Sequence, residues 1–299
     1  MQVLIAGGAG FLGTSLVAEL GAGDHWVTVV TRRPDLARRA VEKDVAVVGW
    51  RDLPRALKRV DAVINLAGAS IGEGRWTARR KAELVRSRLD STHTLVKALA
   101  QVQPRPKVLI NASAVGYYGD RPEKVDELSA PGDDFLAGLC RQWEEAAEGA
   151  TPLGVRVVRM RLGVVLGRGG GALRRMLPPF RFFAGGPMGS GRQGFPWVHQ
   201  ADAMGLFRFA LENEAVVGPV NAVAPEMVDN ASFARALGRA LGRPSWLPVP
   251  GFALRALLGE MAGPLLLSGQ FVRPAAAEKF GYHWRFPKLV GALDDLFRQ

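Results

Sequence analysis

The chain has 299 residues, 48% of them hydrophobic and 22% charged, which excludes a disordered chain and suits one large domain or two moderate ones. The single cysteine, Cys140, excludes an intrachain disulfide framework, and four scattered histidines offer no ligand spacing, so no metal site is expected. The net charge of +11 first suggests nucleic acid, but the basic residues are spread out and no nucleic-acid-binding motif is present, so no such partner is expected.

Residues 2–6 (QVLIA) read as a strand, followed by the glycine-rich run GGAGFLG and a helical pattern, TSLVAELGAG. Further strands read at 26–32 (WVTVVTR), 45–50 (VAVVGW), 61–68 (DAVINLAG), 107–113 (KVLINAS) and 154–166 (GVRVVRMRLGVVL). Helical patterns fall at about 77–102 and 133–149. Strands alternating with helices at this spacing mean βαβ units and a parallel sheet. Right-handed crossovers then place helices on both faces. The fold class expected is therefore α/β, a Rossmann-like doubly wound parallel sheet. Residues 167–200 are rich in Gly, Pro, Arg and Phe without regular periodicity, and read as a long loop lining a site. A helix at 201–213, a strand at 218–224 and a helix at 229–241 follow. The amphipathic section from 251 to 299 is expected to pack on the same globule. No apolar window approaches the roughly 20 residues of a membrane span. The opening MQVLIAGGAG begins a strand at once, so no signal peptide is read. A cytoplasmic protein with no membrane partner is the expectation.

The strand, turn and helix from Val3 to Leu20 carry the strongest chemical signal. Gly7, Gly10 and Gly13 are spaced as GxxGxxG, with Phe11 and Leu12 opening the helix. Such a turn lets backbone approach a pyrophosphate and aims a helix N-terminus at the anion. The end of the second strand selects the dinucleotide. NAD binders place a carboxylate there for the ribose 2′-hydroxyl. Here stand Thr31, Arg32 and Arg33, and guanidiniums make charge-assisted bonds to a 2′-phosphate. The expected cofactor is NADP(H).

GGAGFLG, the strand-end NLAG (Asn65, Leu66, Ala67, Gly68) and NASAVGYYGD together resemble the extended short-chain dehydrogenase/reductase superfamily, the NAD(P)-dependent epimerase/dehydratase class. NLAGASIGEGRW, KAELVRSRLDST, FLAGLCRQWEEAA, RLGVVLGRGGGALRRMLPPF, GGPMGSGRQGFPWVH and PAAAEKFGYHW are similar to its atypical, sugar-epimerase-like subfamily, sometimes labelled cell-division inhibitors. The resemblance implies an NADP-binding domain over 1–166. It also implies a smaller C-terminal substrate domain with an extension over 167–299, interleaved with the first. In that superfamily helices on the sheet faces commonly form dimer surfaces, so the resemblance allows a homodimer, although the sequence itself does not fix the oligomeric state. Positions matching Thr31, Arg32, Asn65, Leu66, Glu83, Arg88 and Cys140 are associated with NADP contact in the subfamily.

The superfamily's catalytic groups carry over only in part. Its Ser matches Ser113. Its Tyr-x-x-x-Lys pair falls on Leu136 and Cys140, and its helix Asn falls on Arg88. Leu136 cannot move a proton, and Cys140 carries no fixed charge to lower a phenol pKa. Tyr117 and Tyr118, just past a strand end, are the candidates to replace the lost acid. Arg88 is a candidate oxyanion or phosphate cation. Arg192 and Gln193 in the glycine-rich loop are candidate substrate contacts. So is His199, in a segment that resembles the superfamily's F-V-H-V-x-D with Asp202 at the Asp, with a hydrogen-bonded structural role as the favoured alternative. The expected function is an NADP(H)-dependent oxidoreductase or epimerase-like enzyme on a small polar, sugar-like or carbonyl substrate. The alternative is a non-catalytic NADP(H) sensor.

Overall fold

The computed structural model describes residues 1–42 and 44–297. The first half supplies β1 (Gln2–Ala6), α1 (Phe11–Gly21), β2 (Trp26–Thr31), α2 (Pro34–Ala37), β3 (Ala46–Gly49), α3 (Leu53–Leu57) and β4 (Ala62–Asn65). It continues with α4 (Ala78–Ala100), β5 (Val108–Ala114), β6 (Lys124–Val125), α5 (Phe135–Glu148) and β7 (Arg156–Leu162). The second half supplies β8 (Val164–Leu166), α6 (Gly171–Arg181), β9 (Trp197–His199), α7 (Gln200–Glu212), β10 (Gly218–Ala222) and α8 (Asn230–Leu241). Then come α9 (Gly251–Leu258), β11 (Phe271–Val272), α10 (Ala275–Lys279) and α11 (Leu289–Phe297).

Seven strands form one parallel sheet in the order β10-β7-β5-β4-β1-β2-β3. Helices cover both faces, which is why the central strands read as continuous apolar runs rather than alternating ones. The strand order reverses between β1 and β4, so a crevice opens at their C-terminal ends. The helix starts follow from polar caps. Thr77, Asp134 and Asp229 accept from the backbone N–H of Arg80, Ala137 and Ser232, and so satisfy donors that a helix start leaves open.

Two expectations are corrected. The strand expected over 154–166 breaks at Gly163. A Cβ there would lie 2.7 Å from the Pro196 carbonyl oxygen and 2.8 Å from the Val223 side chain, so only glycine fits where the two chains cross. Past that point β8 leaves the main sheet and pairs with β9. The second correction is α6, which lies inside the stretch read as loop. It runs through Pro178 and Pro179, whose presence hid it.

Residues beyond 166 also build the main core. β10 returns to the sheet beside β7, and α7 packs against α1. A smaller cluster of Trp76, Leu84, Leu136, Leu139 and Met261 joins the tail to α4 and α5.

Candidate cofactor and active site

The crevice is floored by the β1–α1 turn. Gly7 has φ +82°, and a Cβ on it would sit 2.9 Å from the Leu66 carbonyl. The turn therefore packs directly on the end of β4, and Leu66 N–H donates to the Ala6 carbonyl. Gly13 is closed in as tightly, its Cβ position 2.6 Å from Gly8. Gly10 differs: its added Cβ would meet only the Gly7 carbonyl oxygen at 3.4 Å, and the residue is exposed. One glycine thus faces open space while two hold the turn shut. That is the arrangement a pyrophosphate needs, with Phe11 and Leu12 opening α1 beneath it.

At the end of β2 the Arg33 N–H donates to Thr31 Oγ1 at 3.3 Å, which fixes the turn into α2. Arg32 and Arg33 are exposed. Asp35, the first carboxylate past the strand, is paired with Arg38 at 3.0 Å. Asn65 is fully buried at the end of β4, and its amide donates to Thr92 Oγ1 (2.9 Å) and Asn111 Oδ1 (2.7 Å). Its oxygen accepts from the Ala67 N–H at 3.1 Å. Asn65 therefore shapes the Leu66–Gly68 backbone rather than presenting its own side chain. Gly68 leaves room for Arg88, whose side chain would lie 3.2 Å from a Cβ there.

Arg88 lies across the Trp143 ring, 5.0 Å from its centroid, and donates to the Leu84 carbonyl. Desolvation lowers its pKa from the usual value. Glu83, one and a half turns earlier, is exposed and engages Arg80 at 2.8 Å; Arg80 in turn reaches the Ser70 carbonyl of the loop after β4. Cys140 is buried, and desolvation pushes its thiol up to about 11, so it is neutral near pH 7.

Beyond β5 a polar network fills the interior. Ser113 is buried and donates to Glu144 Oε1 at 2.7 Å. Arg161 of β7 grips both oxygens of Glu144 at 2.8 Å each and donates to the Tyr118 hydroxyl at 2.9 Å. Tyr118 donates to Asn221 Oδ1 at 2.7 Å. This corrects the expectation for Tyr118. It is fully buried, both hydrogen-bonding roles of its oxygen are taken, and desolvation raises its pKa to about 12. It does not offer a proton to a ligand. Tyr117 is half-buried and meets the Tyr118 ring edge-on, centroids 5.4 Å apart, with the Arg161 guanidinium carbon 3.5 Å from its own ring centroid.

Sequence reading missed Glu144 and Arg161. The signal was present: an arginine beside Met160 in an otherwise buried strand demands a carboxylate partner. It also missed α6. Gly170 and Gly171 lie against the Phe11 ring, and Arg175 donates to the Gly72 carbonyl. This helix therefore bridges from the cofactor turn to the loop after β4.

The substrate-side expectations divide. Arg192 is exposed in its loop. Gln193 is corrected: its amide nitrogen donates to the Met188 and Leu266 carbonyls at 2.9 and 2.8 Å, so it pins the loop to the tail. His199 takes the structural role. It is buried, caps α7 by accepting from the Ala201 N–H at 3.1 Å, and stacks on Phe286. Burial lowers its pKa. It lines a cleft of about 540 Å³ between α1 and the start of α7, with Ser15, Glu19, Arg168 and Asp295.

The sequence pattern of the NAD dependent epimerase/dehydratase family spans residues 3–223. The chain belongs to that family. A domain of unknown function, DUF1731, matches residues 249–296 and accounts for the C-terminal extension. Among family relatives, the mouse epimerase family protein SDR39U1 is 43% identical, with 99% of each chain covered. The Bacillus subtilis epimerase family protein YfhF is 38% identical over 99% of this chain and 98% of its own. The crystal structure of human SDR39U1, solved with NADPH, superposes with a TM-score of 0.91 at 39% identity, covering all of both chains. UDP-glucuronic acid 4-epimerase from Bacillus cereus, at 17% identity and TM-score 0.80, covering 100% of this chain and 98% of its own, shares the fold of this family member.

Proposed function

We propose that this epimerase-family protein binds NADP(H) and uses it for hydride transfer to or from a small polar, sugar-like or carbonyl substrate. The observation that carries the cofactor choice is the end of β2. Arg32 and Arg33 are exposed there, and the nearby carboxylate, Asp35, is paired with Arg38. A 2′-phosphate meets cations and no free carboxylate. The relative crystallised with NADPH, alike over its whole length, supports the same reading.

In this reading residues 1–166 hold the dinucleotide and residues 167–299 the substrate side. The backbone around Gly10, Phe11 and Leu12 takes the pyrophosphate. Asn65 shapes the Leu66–Gly68 backbone against the bound cofactor, and Arg88 offers it a partly desolvated cation. Glu83 holds the loop after β4 through Arg80. The bound nicotinamide supplies the hydride chemistry. Tyr117 is the proposed proton donor, held by Arg161. Ser113, buried and donating to Glu144, is proposed to position the polar network beside the reacting groups. Arg192 is the proposed substrate cation. A homodimeric, cytoplasmic protein belongs to the same proposal.

A second reading has its own observation. Leu136 and Cys140 stand at the positions of the superfamily's Tyr and Lys, and the Cys140 thiol is neutral and buried. That favours a protein which senses NADP(H) without turning it over. A screen of NADPH oxidation across aldehydes, ketones and keto-sugars separates the two. Oxidation of any of them that is lost in Tyr117→Phe supports the enzyme; tight NADPH binding with no oxidation across the screen supports the sensor.

A further inference from the structure

Helix α6 ends in a way that has no use inside the molecule. Phe183 N–H donates to the Phe180 carbonyl and Ala184 N–H to the Pro179 carbonyl. These two bonds close the helix in a Schellman motif, whose left-handed position is ordinarily glycine. Here Phe183 occupies it with φ +60°, although Gly185 and Gly186 follow at once. A bulky side chain in that conformation strains the backbone. The ring does not repay this by packing, because Phe183 is 57% exposed and its neighbour Phe182 81% exposed.

The segment after α8 runs alongside. Leu247 N–H donates to the Gly185 carbonyl, and Met188 bridges Val249. This places Trp246 (70% exposed) and Leu247 (41%) next to the two phenylalanines. Arg243 lies over the Phe183 ring at 4.7 Å, and Arg181 and Arg239 are exposed nearby in sequence. The charge is one-sided. Between Glu148 and Asp202, and again between Asp229 and Glu260, the sequence holds no carboxylate. Both strips of the patch come from these stretches.

We infer that this aromatic and arginine-rich face docks on an anionic membrane surface. Aromatic rings seat at the lipid interface while arginines reach the headgroups. A second copy of the chain fits poorly, since it would set arginines against arginines. A folded acidic protein would satisfy the arginines but offers no apolar layer for four protruding rings and side chains. The sequence reading expected no membrane partner, from the lack of a spanning segment and from the packing of the 251–299 tail on the globule; none of the described helices is long and apolar enough to cross. Surface docking is a separate mode. Because α6 starts beside Phe11 and runs about 16 Å to the patch, docking leaves the cofactor turn free.

The test is co-flotation of the full chain with vesicles of phosphatidylcholine mixed with phosphatidylglycerol, against phosphatidylcholine alone, at low and high salt. The expected result is binding to the anionic vesicles that salt weakens. Phe183→Gly, which relieves the backbone, combined with Trp246→Ser should weaken it at least tenfold. Arg243→Glu should weaken it more than fivefold, on the scale of one interfacial arginine replaced by a repelling charge. NADPH affinity should stay unchanged in all of them, which shows that they fold. Equal flotation of the variants, or none by the parent, overturns the inference. So does tighter binding to single-stranded nucleic acid, or a dimer in light scattering that Trp246→Ser dissolves.

Discussion

Arg161 and Glu144 meet in a two-pronged ion pair, with both nitrogen–oxygen distances at 2.8 Å and both side chains almost fully buried. Burial opposes the Arg161 charge, but the hydrogen bonds it donates to Glu144 and Tyr118, with the Glu144 charge, outweigh it and keep the guanidinium protonated. The pair links the polar ends of β5, α5, β7 and β10 beneath the candidate site. Removing Glu144 would strand the Arg161 charge in the interior, and removing Arg161 would leave Glu144 only the Ser113 hydroxyl and Arg159, 3.7 Å away. Glu144→Gln or Arg161→Met should therefore destabilise the fold by about 3–5 kcal/mol. Urea unfolding with a lowered midpoint and an unchanged slope would show it.

Gly10 and Gly13 should fail in different ways. Gly10 has extended backbone, φ −84°, and open space at its Cβ position, so Gly10→Val should fold normally and lose NADPH binding. Gly13→Ala would push a methyl into the Gly8 backbone and should destabilise by about 1–3 kcal/mol. Thermal melts and cofactor titrations of both variants separate the two effects.

Alkaline stability should fall over a defined window. Desolvation raises the folded-state pKa of Cys140 to about 11 and of Tyr118 to about 12. Unfolding exposes both groups and returns them toward ordinary values near 9 and 10. The unfolded chain then binds fewer protons than the native one, so stability drops as pH rises. The stabilisation is complete below about pH 9 and is lost progressively up to about pH 12. Cys140→Ala should flatten the lower part of that decline in melts taken across the range. The thiol should also resist alkylation near pH 8 in the native protein.

The proton-transfer assignment predicts a contrast between neighbours. Tyr117→Phe should lower any NADPH-dependent turnover by about 100-fold or more, with little change in stability. Tyr118→Phe should act mainly on the fold, because it removes a buried hydroxyl bonded on both sides and leaves Asn221 short of a donor. Equal turnover by parent and Tyr117→Phe would remove Tyr117 from the mechanism.

The fold was legible because its signals are local. Apolar strands, helical periodicity and one glycine turn each act within a few residues. The cofactor turn was legible for the same reason. What was not legible depends on contacts far apart in sequence. Tyr118 looked like a free hydroxyl because nothing local showed Asn221 or Arg161 closing over it. Gln193 looked like a ligand contact because its partner, Leu266, comes from the C-terminal tail, which also supplies the Phe286 ring that His199 stacks on. Helix α6 was hidden by two prolines that break propensity but not the packing that holds the helix.

The most direct test of the central claim is a titration of the purified full chain with NADPH and with NADH, followed by nicotinamide fluorescence. The structure predicts that NADPH binds at least tenfold tighter, and that Arg32→Glu with Arg33→Glu removes the difference through loss of charge-assisted bonds worth about 1.5–3 kcal/mol each. Equal or tighter binding of NADH by the parent chain would contradict the claim.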